Sequence, residues 1–409
     1  MRVEGALSVR CRICGGGARE ILDLGEMPPA NSLKISLDQT EESFPLVLGF
    51  CDACGNVQLR DCLDSEALYR NYLYVTPRSA MLSEHYEYLY QYLSRNGYLD
   101  ADSTVVEIGS NAGLFLQHLK TKVQRVIGID PAVAICELAN RAGIETICDF
   151  FSSTSAAMLK ELVGRPDIIV ARHCFAHNCD PHQMLAGVTE LLDEGGYFVV
   201  ENAYVLNTIE NNEFDQIYHE HMFYYSIRSM EHVLGLHGMR VVDVLMSLVH
   251  GGSIIFVAKR KTTADTVSAS VAKYLSRESL FLHIDAFDRF AAQTYESKRK
   301  LRALIDELKA AGQSIYTYGA TAKGNTLLNF VGLTRDDIGY CVDSTSIKQG
   351  RYLPKSNIKI ISEEEARARP PEYFLLTAWN YKDEIISKVR RDGNYRSKFI
   401  VPIPFVHIL

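Results

Sequence analysis

A chain of 409 residues predicts two or three domains, and 47% apolar against 23% charged residues suits a globular protein with sizeable cores. Its 43 Lys and Arg against 50 Asp and Glu leave a formal net charge of −7, which argues against nucleic acid as a partner. No run of 18 apolar residues occurs and Met1-Arg-Val-Glu-Gly has no apolar signal region. No membrane partner is therefore expected, the location is expected to be cytoplasmic, and the ten cysteines are expected to stay thiols unless they bind metal.

Cys11-Arg-Ile-Cys14-Gly15 and Cys51-Asp-Ala-Cys54-Gly55 come first. Each is a C-x-x-C followed by Gly, a knuckle whose turn aims backbone N–H groups at thiolates. Two knuckles supply four soft ligands for tetrahedral Zn²⁺ and leave no open position, so Cys11, Cys14, Cys51 and Cys54 predict a structural zinc site. A pair of disulfides is disfavoured by the compartment, and a redox dithiol would not need the pair duplicated. The intervening loop carries a proline-stiffened stretch, Met27-Pro28-Pro29-Ala30-Asn31. Ser65 to Tyr98 reads as helical and tyrosine-rich, with a break at Tyr72-Leu-Tyr74-Val-Thr-Pro-Arg-Ser79 placed to present polar tips to the unit that follows.

That unit opens with Val105-Val-Glu107-Ile-Gly109-Ser-Asn111-Ala-Gly113-Leu-Phe-Leu116, a buried strand, a glycine turn and a helix start. Such a junction turns backbone N–H groups toward a ligand. A second strand, Val126-Ile-Gly-Ile-Asp130, ends on a carboxylate placed to accept from a ribose diol. A pyrophosphate would favour G-x-G-x-x-G. Here Glu107 precedes the first glycine, which repels pyrophosphate and suits the sulfonium and amino group of S-adenosylmethionine. The pattern resembles motif I of class I methyltransferases, with Asn111 in place of a glycine. Glu107, Gly109, Asn111, Gly113 and Asp130 are thus cofactor candidates. Asp149 and Phe150, ending the third strand, are placed to meet an adenine. The fourth strand, Asp167-Ile-Ile-Val-Ala171, continues into Arg172, assigned to the cofactor side, and on to His177; the fifth ends at Glu201-Asn202. Gly113, Asp130, Asp149, His177 and Glu201 all lie beyond strand ends, where open parallel sheets bind ligands.

Phe214-Asp-Gln-Ile-Tyr218-His219-Glu220-His221-Met222 sets four ionisable or hydrogen-bonding side chains in a row between apolar flanks. Positions i and i+2 do not share a helix face, so His-Glu-His is not the spacing of a helical zinc site. On a strand, His219 and His221 would share one face, Tyr218 and Glu220 the other. Acid–base chemistry is the favoured reading, over metal binding or a solvent-facing run. Long helices follow from about 264 to 311. A third α/β unit then opens with Tyr318-Gly-Ala-Thr-Ala-Lys323-Gly-Asn325, where a lysine and small residues suit a phosphate. Its second strand is read as Ile338 to Asp343 and leads to a basic loop with Lys348 and Arg351. A later strand starting at Phe374 is read as ending in Trp379-Asn380-Tyr381. A plain structural domain is the alternative to a nucleotide or phosphate site.

In this order the knuckles, the Glu107–Gly113 motif, Tyr218-His-Glu-His221 and the Tyr318–Asn325 and Lys348-Gln-Gly-Arg-Tyr-Leu-Pro354 loops resemble the sugar C-methyltransferases. These act on nucleotide-linked 4-keto-deoxysugars, such as the C-3-methyltransferases of antibiotic and O-antigen sugar pathways. The resemblance covers essentially the whole chain, although the family commonly has Y-D-E-H where this chain has His219. It implies an α/β fold: a class I methyltransferase Rossmann-like domain (66–260) between an N-terminal zinc-ribbon-like domain (1–65) and a C-terminal Rossmann-like nucleotide-sugar domain (261–409). It further implies S-adenosylmethionine and structural zinc as cofactors, His221 as general base, and His177, Tyr218, Glu220 and Tyr72 around the reacting sugar, with Tyr74 in reserve. Lys323, Asn325, Lys348, Arg351, Trp379 and Asn380 are the corresponding substrate contacts, and a monomer is expected. An O- or N-methyltransferase of a small molecule and a non-catalytic zinc-ribbon adaptor remain as alternatives.

Overall fold

The computed structural model describes residues 9–70, 75–76, 78–247, 249–263, 265–391, 393 and 396–409. Tyr72 and Tyr74 lie outside the described residues. The first unit contributes β1 (Val9–Arg10), β2 (Gly17–Met27), β3 (Phe44–Cys51) and β4 (Asn56–Leu59), all antiparallel neighbours. Helices Ser65–Tyr69 and Ala80–Arg95 follow, capped by the side chains of Asp64 and Ser79, each of which accepts from a first-turn N–H. Such caps contribute about 1 kcal/mol each.

The central unit is built on β5 (Thr104–Ile108), β6 (Arg125–Asp130), β7 (Thr146–Cys148), β8 (Ile168–Arg172) and β9 (Tyr197–Ala203). After them come β10 (Phe223–Tyr224), β11 (Met239–Ser247) and β12 (Ser253–Arg260). Their sheet has the order β11-β12-β9-β8-β5-β6-β7, parallel from β5 to β9, with β12 antiparallel to β9. The apolar run Val105-Val106 is fully buried, as a strand covered on both faces must be. The order reverses between β5 and β8, which opens a crevice at their carboxyl ends. Strand β10 belongs elsewhere. It pairs with β4 and completes the N-terminal sheet as its fifth strand.

Helix Ala269–Phe281 leaves the central sheet without leaving its body, since Ser268 N donates to the Val242 carbonyl at 2.8 Å and Ser270 Oγ to Asp243 at 2.7 Å. Helix Ile284–Ala310 then spans to the C-terminal unit. That unit has β13 (Ile315–Tyr318), β14 (Cys341–Val342), β15 (Ile360–Ile361), β16 (Tyr373–Leu376), β17 (Lys398–Val401) and β18 (His407–Ile408), in the order β15-β14-β13-β16-β17-β18. All pair in parallel except β18. Two strands are shorter than the sequence predicts. Ile338 N bonds back to Thr334, which delays β14, and β16 stops at Leu376 because Tyr381 N closes a 3₁₀ turn on Ala378. One apolar cluster joins the three units, with Phe50 against Phe287 at 4.6 Å and Phe214 against Phe330 at 5.4 Å between ring centres. Among the described residues no helix is long and apolar enough to cross a membrane.

Candidate active site

The sulfurs of Cys11, Cys14, Cys51 and Cys54 lie within 4.8 Å of one another. Cys11 to Cys54 is 3.6 Å and Cys14 to Cys51 is 3.5 Å. Zn–S bonds of about 2.3 Å put tetrahedral sulfurs roughly 3.8 Å apart, so this donor set fits the ion. Asn56 Nδ2 donates to Cys11 Sγ at 3.5 Å, the charge compensation a thiolate calls for. Among the described residues this is the one cluster of three or more metal-type side chains.

At the crevice of the central sheet, Gly109, Asn111 and Gly113 all have positive φ, at 64°, 49° and 71°. Asn tolerates that region better than most residues, which accounts for its standing where the motif has glycine. The turn's amides are not free to cradle an anion. Gly109 and Ser110 N donate to the Ile129 carbonyl, Gly113 N to Ser110, and Asn111 N to Asp130 Oδ2 at 2.9 Å. That arrangement does not suit a pyrophosphate. Asp130 Oδ1 also accepts from Ala132 N at 3.0 Å, and a carboxylate's remaining lone pairs are what a ribose diol would use. Glu107 is 1% exposed and takes both Arg172 Nε and Nη2 on Oε1, at 2.9 and 2.7 Å. Its Oε2 and the Ser110 hydroxyl are buried without a partner among the described residues. Burial pushes the Glu107 carboxyl up, against the pull of the guanidinium. Arg172 itself is packed between the rings of Tyr86 and Phe115, 4.9 and 4.5 Å from their centres. These unsatisfied acceptors at strand ends fit a cationic ligand. Asp149 caps Phe150 N, and Phe150 lies under the Arg70 guanidinium at 5.3 Å.

Tyr218–His221 is a turn rather than a strand, because His221 N donates to the Tyr218 carbonyl at 2.9 Å. Alternation therefore fails, and positions 218 and 221 meet. Tyr218 Oη lies 2.7 Å from His221 Nε2. His221 Nδ1 lies 3.0 Å from the Gln216 carbonyl, which can only accept, so Nδ1 carries the proton and Nε2 keeps the lone pair. His177 stacks on His221 at 5.1 Å and on Tyr69 at 5.6 Å. Burial and the neighbouring His177 hold His221 well below 6.5. Tyr218, His177 and His221 are each half-buried. Glu220, 1% exposed, accepts from Asn31 Nδ2 at 3.0 Å through Oε1, while Oε2 has no partner among the described residues. His219 turns the other way, onto the Pro45 carbonyl of β3 at 3.2 Å.

The C-terminal candidates divide. Lys323 lies over the Trp379 ring at 5.2 Å, and Trp379 Nε1 donates to the buried Asp215 at 2.6 Å. The Lys323 charge is felt by Asp215, Glu213 and His221, and burial pushes Glu213 up to about 7. Both Glu213 and Asp215 are buried. Asn325 is buried with its Nδ2 on the Ala30 carbonyl at 2.5 Å, which braces the proline loop, while its Oδ1 has no partner among the described residues. Lys348 Nζ reaches the Ala320 carbonyl at 2.8 Å and Asp343 at 3.9 Å. Arg351 and Asn380 are half-buried in their loops. A surface concavity of about 450 Å³ beside β7, lined by Val133, Cys136, Glu137, Asn140, Arg141 and Cys148, involves none of the candidates.

Several site residues escaped sequence reasoning. Asp215 and Gln216 lie just before Tyr218, separated from it by Ile217, and a polar doublet between Phe214 and Ile217 was their signal. Asn31 ended a stiffened loop that had no assigned role. His85, which reaches Glu201 at 3.0 Å, and Tyr69 were hidden among helical packing residues.

A sheet of this order, with an acid and a glycine turn on its first strand and a carboxylate closing the second, defines a class I S-adenosylmethionine-dependent methyltransferase. Three family models cover the chain: a zinc binding domain over 11–69, a methyltransferase domain over 81–244 and a C-methyltransferase C-terminal domain over 248–404. C-methyltransferase NovU of Streptomyces niveus is 36% identical over 400 residues, spanning 96% of this chain and 95% of that protein. The chain belongs to this C-methyltransferase family. Among solved structures, magnesium protoporphyrin IX methyltransferase from Synechocystis with bound S-adenosylmethionine has a TM-score of 0.34 at 14% identity, covering 46% of this chain and 88% of its own. An S-adenosylmethionine-dependent methyltransferase from Clostridium acetobutylicum has 0.35 at 12%, covering 45% and 93%.

Proposed function

We propose that the enzyme methylates the C-3 carbon of a nucleotide-linked 4-keto-deoxysugar, with His221 as general base. The observation that carries this reading is the imidazole held neutral in one tautomer, its Nε2 lone pair beside Tyr218 Oη. When bound, S-adenosylmethionine supplies an electrophilic methyl group on a sulfonium. Glu107 and Ser110 hold its amino-acid end, Asp130 its ribose, and Asp149 with Phe150 its adenine; Gly109, Asn111 and Gly113 shape the turn, and Arg172 fixes Glu107. His221 Nε2 would remove the proton on the carbon α to the ketone, the negative charge passing to the ketone oxygen; the carbon's electron pair would then take the methyl as its bond to the donor sulfur breaks and S-adenosylhomocysteine leaves. His177 keeps the imidazole in plane. Tyr218, Glu220 and Tyr72 (or Tyr74) hold the sugar and the developing enolate. Lys323, Trp379 and Asn380 border the sugar, while Lys348 and Arg351 are nearer the diphosphate. The zinc is structural, because four thiolates leave it no open position. A cytoplasmic monomer without nucleic-acid partners completes the reading.

Incubation with labelled S-adenosylmethionine and a panel of dTDP-, GDP- and CDP-linked 4-ketosugars tests it. Label should appear on carbon next to the ketone in one of them, by NMR of the product. Label on oxygen or nitrogen, or on none of the panel, would overturn the reading.

A further inference from the structure

We infer that Asn31, carried by the zinc ribbon's proline loop, is a positioning residue of the active site that orients Glu220. The inference rests on the reading above, in which Glu220 faces the sugar. Glu220 sits at a corner of the Tyr218–His221 turn and is 1% exposed. A carboxylate so buried is costly unless it is hydrogen-bonded, and its described side-chain donors come from the ribbon. Asn31 Nδ2 lies 3.0 Å from Oε1, and the backbone N–H groups of Ala30 and Asn31 add to the same effect. Oε2, without a partner among the described residues, is thereby left for a ligand.

The loop is held as an active-site wall would be. Pro28 and Pro29 restrict its backbone. Asn325 Nδ2 grips the Ala30 carbonyl at 2.5 Å, and Lys34 pairs with Tyr352 through both backbone bonds, at 2.9 and 2.8 Å. Lys34 Nζ adds a bond to Asn357 at 3.0 Å. The far side of the turn is pinned by the same ribbon. Met222 accepts from Leu59 N at 2.9 Å, immediately before β10 joins β4, and Tyr69 Oη donates to the Glu220 carbonyl at 2.9 Å. The zinc-bound unit therefore touches the catalytic turn through the side chain of Glu220 and through its backbone.

The test compares Asn31→Ala with Asn31→Asp in the full-length, zinc-loaded enzyme. Asp keeps the shape of Asn but replaces the donor with a like charge, so an orienting role makes it the worse variant, whereas a packing role makes it the milder one. Asn31→Ala should lower kcat roughly 10- to 100-fold, the range for a hydrogen bond to a charged group, with KM within about threefold and zinc content unchanged. Asn31→Asp should lower kcat further. Carbon-13 NMR of the Glu220 carboxyl reads the same contact without turnover, and its titration should move up by about one pH unit in Asn31→Ala. An unmoved titration, or Asn31→Asp outperforming Asn31→Ala, would overturn the inference. Because the NMR arm needs no substrate, it decides the role of Asn31 even if the panel of ketosugars fails.

Discussion

The two Rossmann-like units share one turn and use it differently. In the central unit Gly109 N donates to Ile129 at 2.8 Å; in the C-terminal unit Gly319 N donates to Val342 at 2.8 Å. Both glycines have positive φ, and a Cβ on either would come within 3 Å of the segment that follows the neighbouring parallel strand, 2.6 Å from Cys174 past β8 and 2.7 Å from Ala378 past β16. Asp130 accepts from Asn111 N and Ala132 N, and Asp343 from Ala320 N and Thr345 N. The tethered aspartate is thus a device of the fold in both units. What differs is what the fold leaves over. The central helix starts at Gly113 with no side-chain cap, above a buried Glu107 with one oxygen unpaired. The C-terminal helix is closed by Thr321, whose hydroxyl takes Gly324 N, above the uncharged Thr317. A glycine turn alone does not announce a ligand; the unsatisfied charged group behind it does.

The Tyr218–His221 turn, catalytic on the proposed reading, lies between these units, so the largest effect should come from removing chemistry without touching either. His221→Asn should lower turnover on the order of 10²–10⁴-fold while calorimetry shows wild-type affinity for S-adenosylmethionine. Loss of cofactor binding would place His221 in the central unit's ligand site instead. On the proposed mechanism the neutral imidazole is the active form, and burial and then His177 hold His221 well below its ordinary 6.5. Activity should therefore persist as pH falls through 6.5 and be lost only at more acid values. His177→Asn should bring that acid limb up toward the ordinary imidazole value. A wild-type limb already at 6.5 would contradict this.

The next contrast concerns the buried Glu107–Arg172 pair of the central unit. Arg172→Leu leaves Glu107 buried without its partner, and breaking such a pair costs about 3–5 kcal/mol. Lys348→Leu, in the loop after β14 of the C-terminal unit, removes one bond to a carbonyl and a long contact to Asp343, for about 1 kcal/mol. Melting temperatures should separate the two variants clearly, and equal losses would erase the distinction drawn here.

Much of this was legible in residue order. The glycine turns, the strand-end acids and the four cysteines follow from local patterns whose spacing is fixed by the backbone. The Tyr218–His221 segment was legible as chemistry but not as geometry: period-two reasoning paired His219 with His221, while a single i to i+3 bond made the segment a turn and sent His219 to β3. Asn31 and Glu220 are 189 residues apart, and β10 joins a sheet begun at Val9. Such contacts are set by how three units pack, and periodicity carries no information about that. The Lys323 loop suits a phosphate when read alone, and the acids Glu213 and Asp215, which feel its charge, come from another unit and do not show in that local pattern.

Asp130→Asn and Asp343→Asn sharpen the shared part of the comparison. Each weakens two N–H bonds to a carboxylate, so both should destabilise the fold by roughly 1.5–3 kcal/mol. Only Asp130→Asn should also weaken S-adenosylmethionine binding in calorimetry, by a similar amount. Matching losses of affinity in both variants would mean that the effect passes through stability and that Asp130 is no more than a tether.

The smallest expected effect is at Asn111, where the chain departs from the glycine of the motif. Two terms oppose each other. Glycine would relieve the side chain of a φ of 49°, a gain of up to about 1 kcal/mol. It would also forfeit the bond from Thr76 N to Asn111 Oδ1 at 2.9 Å, a loss of about 1 kcal/mol. Asn111→Gly should therefore leave stability near wild type. Asn111→Ala loses the same bond and keeps a Cβ at positive φ, a strain of roughly 1–2 kcal/mol, so it should be the less stable of the two. The bond ties the stretch after the first tyrosine-bearing helix to the cofactor turn. Either variant should thus weaken S-adenosylmethionine binding by a few-fold, and Asn111→Gly should do so without lowering the melting temperature. If Asn111→Gly binds the cofactor as tightly as wild type, the side chain serves the turn alone, and the central unit's glycine turn is as self-contained as its C-terminal counterpart.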